Sequence, residues 1–363
     1  MYPPHQVSTL PRLHETHESY DLQPIGLFSS HWDEDKQVCV VNQVDVNAIP
    51  EINYDRFGVY MNLEDFAESE AERQNNTQPF KKDFYSQAAQ QGYLNLETHP
   101  ILTTNGAVYE LMNCANEGSE LLQTAKLEKI NGKMHITLSQ GVTNADLHGS
   151  DNAGSCFGNV FENYMINDLP LPSQSEAKST HYYHLTKLGL TGRIRPRLRN
   201  RTSIDFLMKC EVDARIESEL VEIKCRGHLS NSSYETAHDM KCLIKAHLGL
   251  NTYVITSGIT AKSLTKDIER GKSYEPRKTH VTGYVQNVLS SSSTICWRVG
   301  MRLQYLMKGC GIKEVTLRKT AGSRNIRFGK LDTFDDTFKP YEDFCVDGID
   351  AEIMETLWSL QKR

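Results

Sequence analysis

The chain has 363 residues, of which 39% are hydrophobic and 24% charged, with mean hydropathy −0.50 and a formal net charge of −6. That is ordinary globular composition, enough for one large α/β unit or two to three smaller domains. No stretch approaches the roughly 20 apolar residues that a membrane helix needs, and the acidic balance excludes a generic polyanion binder.

In chain order, residues 1–22 read as a flexible tail. MYPPHQVSTLPRLHETHESYD holds no apolar core behind a cationic start, so no secretory signal is expected and the protein is placed in the nucleus and/or cytoplasm. Phe28, Val38, Val40, Val41 and Val44 predict short strands. Residues 67–82 are polar and predict a loop. Residues 107–115 predict a helix end, and 120–140 a hairpin turning at Asn131-Gly132. Residues 141–157 are turn-rich. FGNVFENYMIND (157–168) puts Phe157, Val160, Phe161, Tyr164 and Met165 at helical spacing. RIRPRLRNR carries Arg193, Arg195, Arg197, Arg199 and Arg201; in an extended segment these share one face and form the local basic patch that any nucleic-acid contact would need, the bland alternative being a solvated basic edge or a nuclear import signal. IDFLMKCEVDARI (204–216) and ELVEIKC (219–225), divided by Glu217 and Ser218, predict adjacent antiparallel strands. Residues 226–292 vary in texture and are expected to form an insertion. ICWRVGMRLQYLMKG (295–309) is the clearest late helix and KEVTLRK (313–319) the clearest late strand.

The chemistry concentrates in E-V-D-(x8)-E-I-K, which is Glu211, Asp213, Glu222 and Lys224. Residues i and i+2 of a strand share a face, so pairing the two strands gathers three carboxylates and one ammonium into a small patch. Such carboxylates repel one another, and burial raises the cost. Hard-oxygen ligands of this kind suit Mg²⁺ or Mn²⁺. An Asp with Glu-x-Lys on adjacent strands is the ligand set of the PD-(D/E)xK nuclease architecture, in which metals activate a water and neutralise charge on the scissile phosphate. Lys224 would orient that water or hold a phosphate oxygen. The bland alternative is a charged edge hairpin with surface ion pairs.

Other signals are weaker. The nine dispersed cysteines contain no C-x-x-C pair, so reduced thiols are expected rather than a zinc ribbon or a thioredoxin-like motif. His14/His17 and His181/His184 are three apart but lack the H-E-x-x-H pattern. Ser155 has no strand ahead of it, as a nucleophile elbow requires. GKS at 271–273 lacks the earlier glycine of a phosphate loop. Trp297, Met301 and Tyr305 are expected in the core.

At these residues the sequence resembles the DXO family of decapping exoribonucleases, which includes partners of the nuclear 5′–3′ exoribonuclease. GNVFENYM (158–165) resembles the family's G-x-x-F-E segment, CEVDA (210–214) its E-Φ-D motif and VEIKC (221–225) its E-Φ-K motif. RLQYLMKGCGIKEVTLRK (302–319) resembles a later motif in which a helix glutamine faces the substrate. IGLFS (25–29) and RPRLRNR are also similar to family segments. The resemblance implies a mixed α/β (α+β) fold: one large catalytic domain over 23–363 with two packed mixed β-sheets flanked by helices, an atypical insertion near 226–292 and a PD-(D/E)xK-like nuclease core. It implies a two-metal Mg²⁺ or Mn²⁺ site with Glu162, Asp213 and Glu222 as primary ligands, Glu211 direct or through water, and the Ile223 carbonyl. Lys224 and Gln304 would hold the scissile phosphate.

The implied reactions are decapping, removal of incomplete or NAD-type caps, 5′-triphosphate pyrophosphohydrolysis and 5′–3′ trimming of RNA, with a 5′–3′ exoribonuclease as a protein partner and no membrane. Two departures stand out. Asn105, in ILTTNGAV, occupies the place of a family arginine that contacts substrate, and Asn cannot replace a bidentate phosphate contact. The gap from Glu222 to Gln304 (304 − 222 = 82) is longer than the family pattern. The competing expectations are a non-catalytic RNA-end-binding or scaffold protein in a nuclear complex, and a DNA nuclease on the same residues.

Overall fold

A computed structural model of the chain describes residues 17–33, 35–36, 38–57, 84–96, 100–114, 118–141, 161–166, 180–193, 201–228, 232–260, 277–281, 283–323, 325–332 and 337–342. Expectations for 67–82, 142–160, Ser155, the GKS segment and the tail up to residue 16 fall outside these. β1 (His17–Asp33) begins inside the segment expected as a tail, because His17–Leu22 pair with β6. β2 (Val38–Val44) returns antiparallel to it.

A short α1 (Phe84–Gln90) leads to β3 (Ile101–Thr104), which passes directly into α2 (Asn105–Asn113) with Thr104 as its cap, its hydroxyl accepting the Ala107 N–H. β4 (Leu121–Ile130) and β5 (Lys133–Gln140) form the predicted hairpin. Asn131 (φ 47) and Gly132 (φ 80) both take the left-handed backbone that a two-residue turn of this hand requires. β6 (Thr180–Arg193) and β7 (Arg201–Val212) form a long antiparallel pair.

The predicted strand pair 204–216/219–225 is real only in part. β7 ends at Val212; the chain leaves the large sheet at Asp213 and enters a second sheet as β8 (Ala214–Ile216), which pairs antiparallel with β9 (Glu219–His228) across Glu217 (φ 54). β9 is followed by α3 (Ser232–Leu248) and then β10 (Tyr253–Thr260), parallel to β9, with β11 (Arg277–His280) beside it. Most of the described part of 226–292, expected as an insertion, is thus a strand–helix–strand crossover built into the fold. Its Ile244 and Leu248 sit in the main core.

α4 (Gly283–Gln304) ends in a π-turn at Tyr305–Gly309. β12 (Glu314–Lys319), β13 (Arg327–Leu331) and β14 (Phe338–Glu342) complete the chain. The result is a mixed α/β fold with a 10-stranded sheet, ordered β14-β13-β12-β4-β5-β3-β7-β6-β1-β2, and a 4-stranded sheet, β11-β10-β9-β8. Both are mixed, since β3 lies parallel to β5 and β7, and β9 parallel to β10.

The large sheet is covered on both faces around β7. Phe206 and Met208 join the core beneath α2, α3 and α4, while Leu207 joins Phe84 and Phe28 on the α1 side. This double burial explains why β7 reads as a continuous apolar run rather than an alternating one. Among the described residues no helix is long and apolar enough to cross a membrane.

α4 runs along β7 at close range: Trp297 donates to the Thr202 carbonyl at 3.2 Å, and a Cβ on Gly300 would come 2.6 Å from Ile204 Cγ2. Gly300→Ala improves intrinsic helix propensity by about 1 kcal/mol but overpacks a sealed contact, which costs about 1–3 kcal/mol. The expected net result is destabilisation, read as a lower urea midpoint with unchanged slope.

Candidate active site

The site lies where β7 crosses into the second sheet. Four of the groups expected from sequence converge on one atom, the ammonium nitrogen of Lys224. It stands 3.1 Å from Asp213 Oδ2, 3.1 Å from Glu222 Oε1, 3.5 Å from Glu162 Oε1 and 2.8 Å from the Ile223 carbonyl oxygen. The side chains of Asp213 and Glu222 are only 3% and 5% exposed. Asp213 Oδ2 also accepts the Ile223 N–H at 2.7 Å, so the chain's departure from the large sheet is fastened to the middle of β9.

Each group is placed by a different element. Glu162 stands on a helical segment at 161–166 whose Phe161, Tyr164 and Met165 pack against Ala214, Val221, Ile223 and Ile255 of the small sheet. Glu222 and Lys224 share a face of β9, as the i, i+2 rule requires. Glu211 is the last but one residue of β7, and Asp213 lies just beyond the end of that strand. Glu211 is 46% exposed at the rim, with Oε1 3.1 Å from His181 Nδ1. His181 and His184, three apart on a strand, point to opposite faces, which disposes of a shared zinc.

Burial pushes the Glu222 carboxyl up to about 7; Asp213 adds to the rise, while Lys224 and Lys245 oppose it. Burial also works against the Lys224 charge, yet Asp213, Glu222, Glu162 and Glu211 outweigh it and hold this ammonium well above the usual lysine range. The cluster is therefore a cage of hard oxygens organised around a cation. Among the described residues no three His, Cys, Asp or Glu stand in ready metal-ligating geometry, because the carboxylates close on the ammonium instead. The donor set itself fits Mg²⁺ or Mn²⁺ in kind, three carboxylates and a carbonyl.

Sequence reasoning missed two neighbours, both in the segment taken for an insertion. Asn251 Nδ2 lies 3.5 Å from Glu222 Oε2. Lys245, on the last turn of α3, acts electrostatically on Glu222, and a Cβ on Gly106 would lie 3.8 Å from its Nζ. Among the described residues no carboxylate lies within ion-pair distance of Lys245. The available signal was the cationic last turn of an amphipathic helix.

Other predicted groups lie elsewhere. Asn105 is buried at the start of α2, where its amide donates to the Lys245 carbonyl at 3.1 Å, a helix-fastening role. Gln304 closes α4, and the course of α4 from Thr202 past Ile204 carries it towards the site end of β7. Of the arginine run, Arg193 and Arg201 are the last pair of the β6–β7 ladder, and Arg195, Arg197 and Arg199 lie outside the described residues. From Arg201 to Glu211 is ten residues (211 − 201 = 10), which an extended strand turns into roughly 30 Å. Proximity in sequence here means opposite ends of a strand.

Beside the site, the buried His184 Nδ1 donates to the Gly249 carbonyl at 2.8 Å, and burial, only partly offset by that bond, lowers its pKa below 6.5. The unfolded chain then binds the proton more readily, so the His184 contribution to stability is full above about pH 6.5 and falls as pH drops below it. Glu222, pushed up to about 7, works in the opposite sense over the same range, so the His184 share is read as a difference: in denaturant melts between about pH 7 and pH 5, wild type should lose stability relative to His184→Gln.

No family model and no curated protein matches the chain by sequence. The folded backbone does find likenesses: its architecture is similar to that of solved Rai1 and Dxo1 structures. Against Candida albicans Rai1, solved with pU5 and Mn²⁺, the TM-score is 0.53 at 11% identity, covering 90% of this chain and 94% of that one. K. lactis Dxo1, solved with manganese, gives 0.51 at 12% identity over 91% and 92%. Scheffersomyces stipitis Rai1, solved with (3′-NADP)⁺ and calcium, gives 0.51 at 12% over 95% and 97%. The fold that the four short motifs implied is the fold the chain has.

Proposed function

We propose that the chain is a divalent-metal-dependent hydrolase of RNA 5′ ends. The observation that carries this reading is the cage of Glu162, Asp213, Glu222 and the Ile223 carbonyl around a single cationic atom, on a fold shared with Rai1 and Dxo1 structures solved with Mn²⁺. Those four groups would hold the ion. When bound, Mg²⁺ or Mn²⁺ supplies Lewis-acid charge at the scissile phosphate and a more acidic water. Lys224, the present counter-charge of the cage, is then available to hold a phosphate oxygen, and Lys245 offers a second ammonium beside Glu222 for the same charge. A second ion would draw on Glu211, for which His181 competes. Substrate classes follow from the 5′ phosphates such a site attacks: triphosphorylated, incompletely capped or NAD-capped RNA, in the nucleus or cytoplasm.

A second reading, an RNA-end-binding scaffold, is favoured by one observation: Asn105, where the family pattern has an arginine, is buried and committed to Lys245. The test is a 5′-end assay with Mn²⁺ or Mg²⁺ on 5′-triphosphate, 5′-monophosphate, unmethylated-cap and NAD-capped RNAs, beside Asp213→Ala/Glu222→Ala. Product from wild type alone supports the hydrolase. RNA binding without turnover on all four selects the scaffold.

A further inference from the structure

The far edge of the large sheet carries a cavity that the acidic site does not use. β12 is four strands from β7 in sheet order, so the two regions are roughly 20 Å apart across the sheet. The cavity has a volume of about 380 Å³, within the range of small-ligand sites. Arg318 of β12 and Arg327 of β13 are direct partners across the antiparallel ladder, so their side chains leave the same face.

Its other walls are also specific. The Arg318 guanidinium lies 6.0 Å from the Phe338 ring centroid. That ring is seated over Gly329, where a Cβ would come 2.7 Å from Phe338 Cζ and 2.4 Å from the Lys339 carbonyl oxygen, and a register shift between Phe328 and Gly329 brings β14 in close. Ser323 folds the β12–β13 connection back on itself, accepting the Asn325 N–H at 3.0 Å, which sets Asn325 and Thr320 at the rim. Two guanidiniums, an aromatic ring and neutral polar groups form a recognition set for phosphate esters: fork-shaped donors for the phosphate, and a stacked cation and ring beside it.

We propose that the β12–β14 corner is a binding site for a phosphate ester of nucleotide type, distinct from the acidic cluster. Arg318 and Arg327 take the phosphate, and the Asn325 amide and Thr320 hydroxyl take the sugar or base. In a chain of net charge −6 this attraction is local, not a consequence of overall charge. The ligand arrives either as a free mononucleotide or as a nucleotide within an RNA strand.

Calorimetric titration of the full chain in EDTA tests this, with inorganic phosphate, UMP and a 5′-phosphorylated oligouridylate as probes. EDTA leaves the acidic cluster without a divalent ion, so anion binding reports on other sites and no turnover intervenes. The expected result is saturable UMP binding that weakens about tenfold or more in Arg318→Ala and in Arg327→Ala, with melting temperatures kept within a degree or two of wild type. Tighter binding of the oligonucleotide than of UMP, with the same losses, assigns the site to RNA; equal binding assigns it to free nucleotide. Charge reversal by Arg318→Glu should abolish binding. Unchanged UMP binding in both alanine variants, or no saturable binding of any probe to wild type, overturns the proposal. A chain that hydrolyses no 5′ end could still pass this test, and an active hydrolase could fail it.

Discussion

Asp213→Ala should abolish 5′-end hydrolysis, lowering the single-turnover rate more than 100-fold, and should destabilise the metal-free protein by about 3–5 kcal/mol. The activity figure follows because even groups that merely orient metal ligands are worth about 10–100-fold, and Asp213 is placed to bind the ion directly. The stability figure has two sources. Asp213 is 3% exposed and its Oδ2 accepts both the Ile223 N–H at 2.7 Å and the Lys224 ammonium at 3.1 Å. Removal leaves a buried amide unsatisfied, at about 1–3 kcal/mol. Breaking one partner out of a buried ion pair typically costs about 3–5 kcal/mol in all. Asp213→Asn separates the two effects: its amide oxygen can still accept the Ile223 N–H, so most stability should return while activity stays lost. Wild-type rates in either variant would remove Asp213 from the reaction.

Lys224→Met should have the opposite dependence on metal. Without a divalent ion, Glu162, Asp213 and Glu222 lose the cation on which they converge, and the protein should melt several degrees lower, again for about 3–5 kcal/mol. With Mn²⁺ the variant should recover most of that loss. Its gain should exceed the wild-type gain, since the ion no longer competes with an ammonium for the same oxygens, and binding to the folded state alone stabilises by mass action. Hydrolysis should stay impaired even when the metal is restored. Thermal melts across a Mn²⁺ titration read this directly. A variant that melts with wild type in EDTA and gains no more from Mn²⁺ would show that the oxygens are not a cation cage.

Much of this protein is written locally in its sequence. The hairpin at Asn131-Gly132 is fixed by two residues that tolerate positive φ. The E-x-D and E-x-K pairs mark the site because acids seldom sit inside apolar runs without a cation to hold. The pairing of Glu222 with Lys224 follows from strand periodicity alone, and four motifs in order were enough to imply the Rai1/Dxo1 fold.

Distance in space is what the sequence could not supply. Ten residues separate Arg201 from Glu211, and an extended strand makes that the length of the sheet rather than a neighbourhood. Asp213 faces Lys224 only because the chain changes sheets there, a choice made by the packing of β8 against β9. Lys245 and Asn251 reach the site because α3 crosses over between parallel strands, and a crossover brings together residues that no local period relates. Asn105 looked like a substrate contact by position; its burial against the Lys245 carbonyl was decided by how two helices meet. Local sequence set the turns, the strands and the chemistry of the acidic groups. Tertiary packing decided which of them share a point in space, because contacts between distant segments depend on the whole core that closes around them.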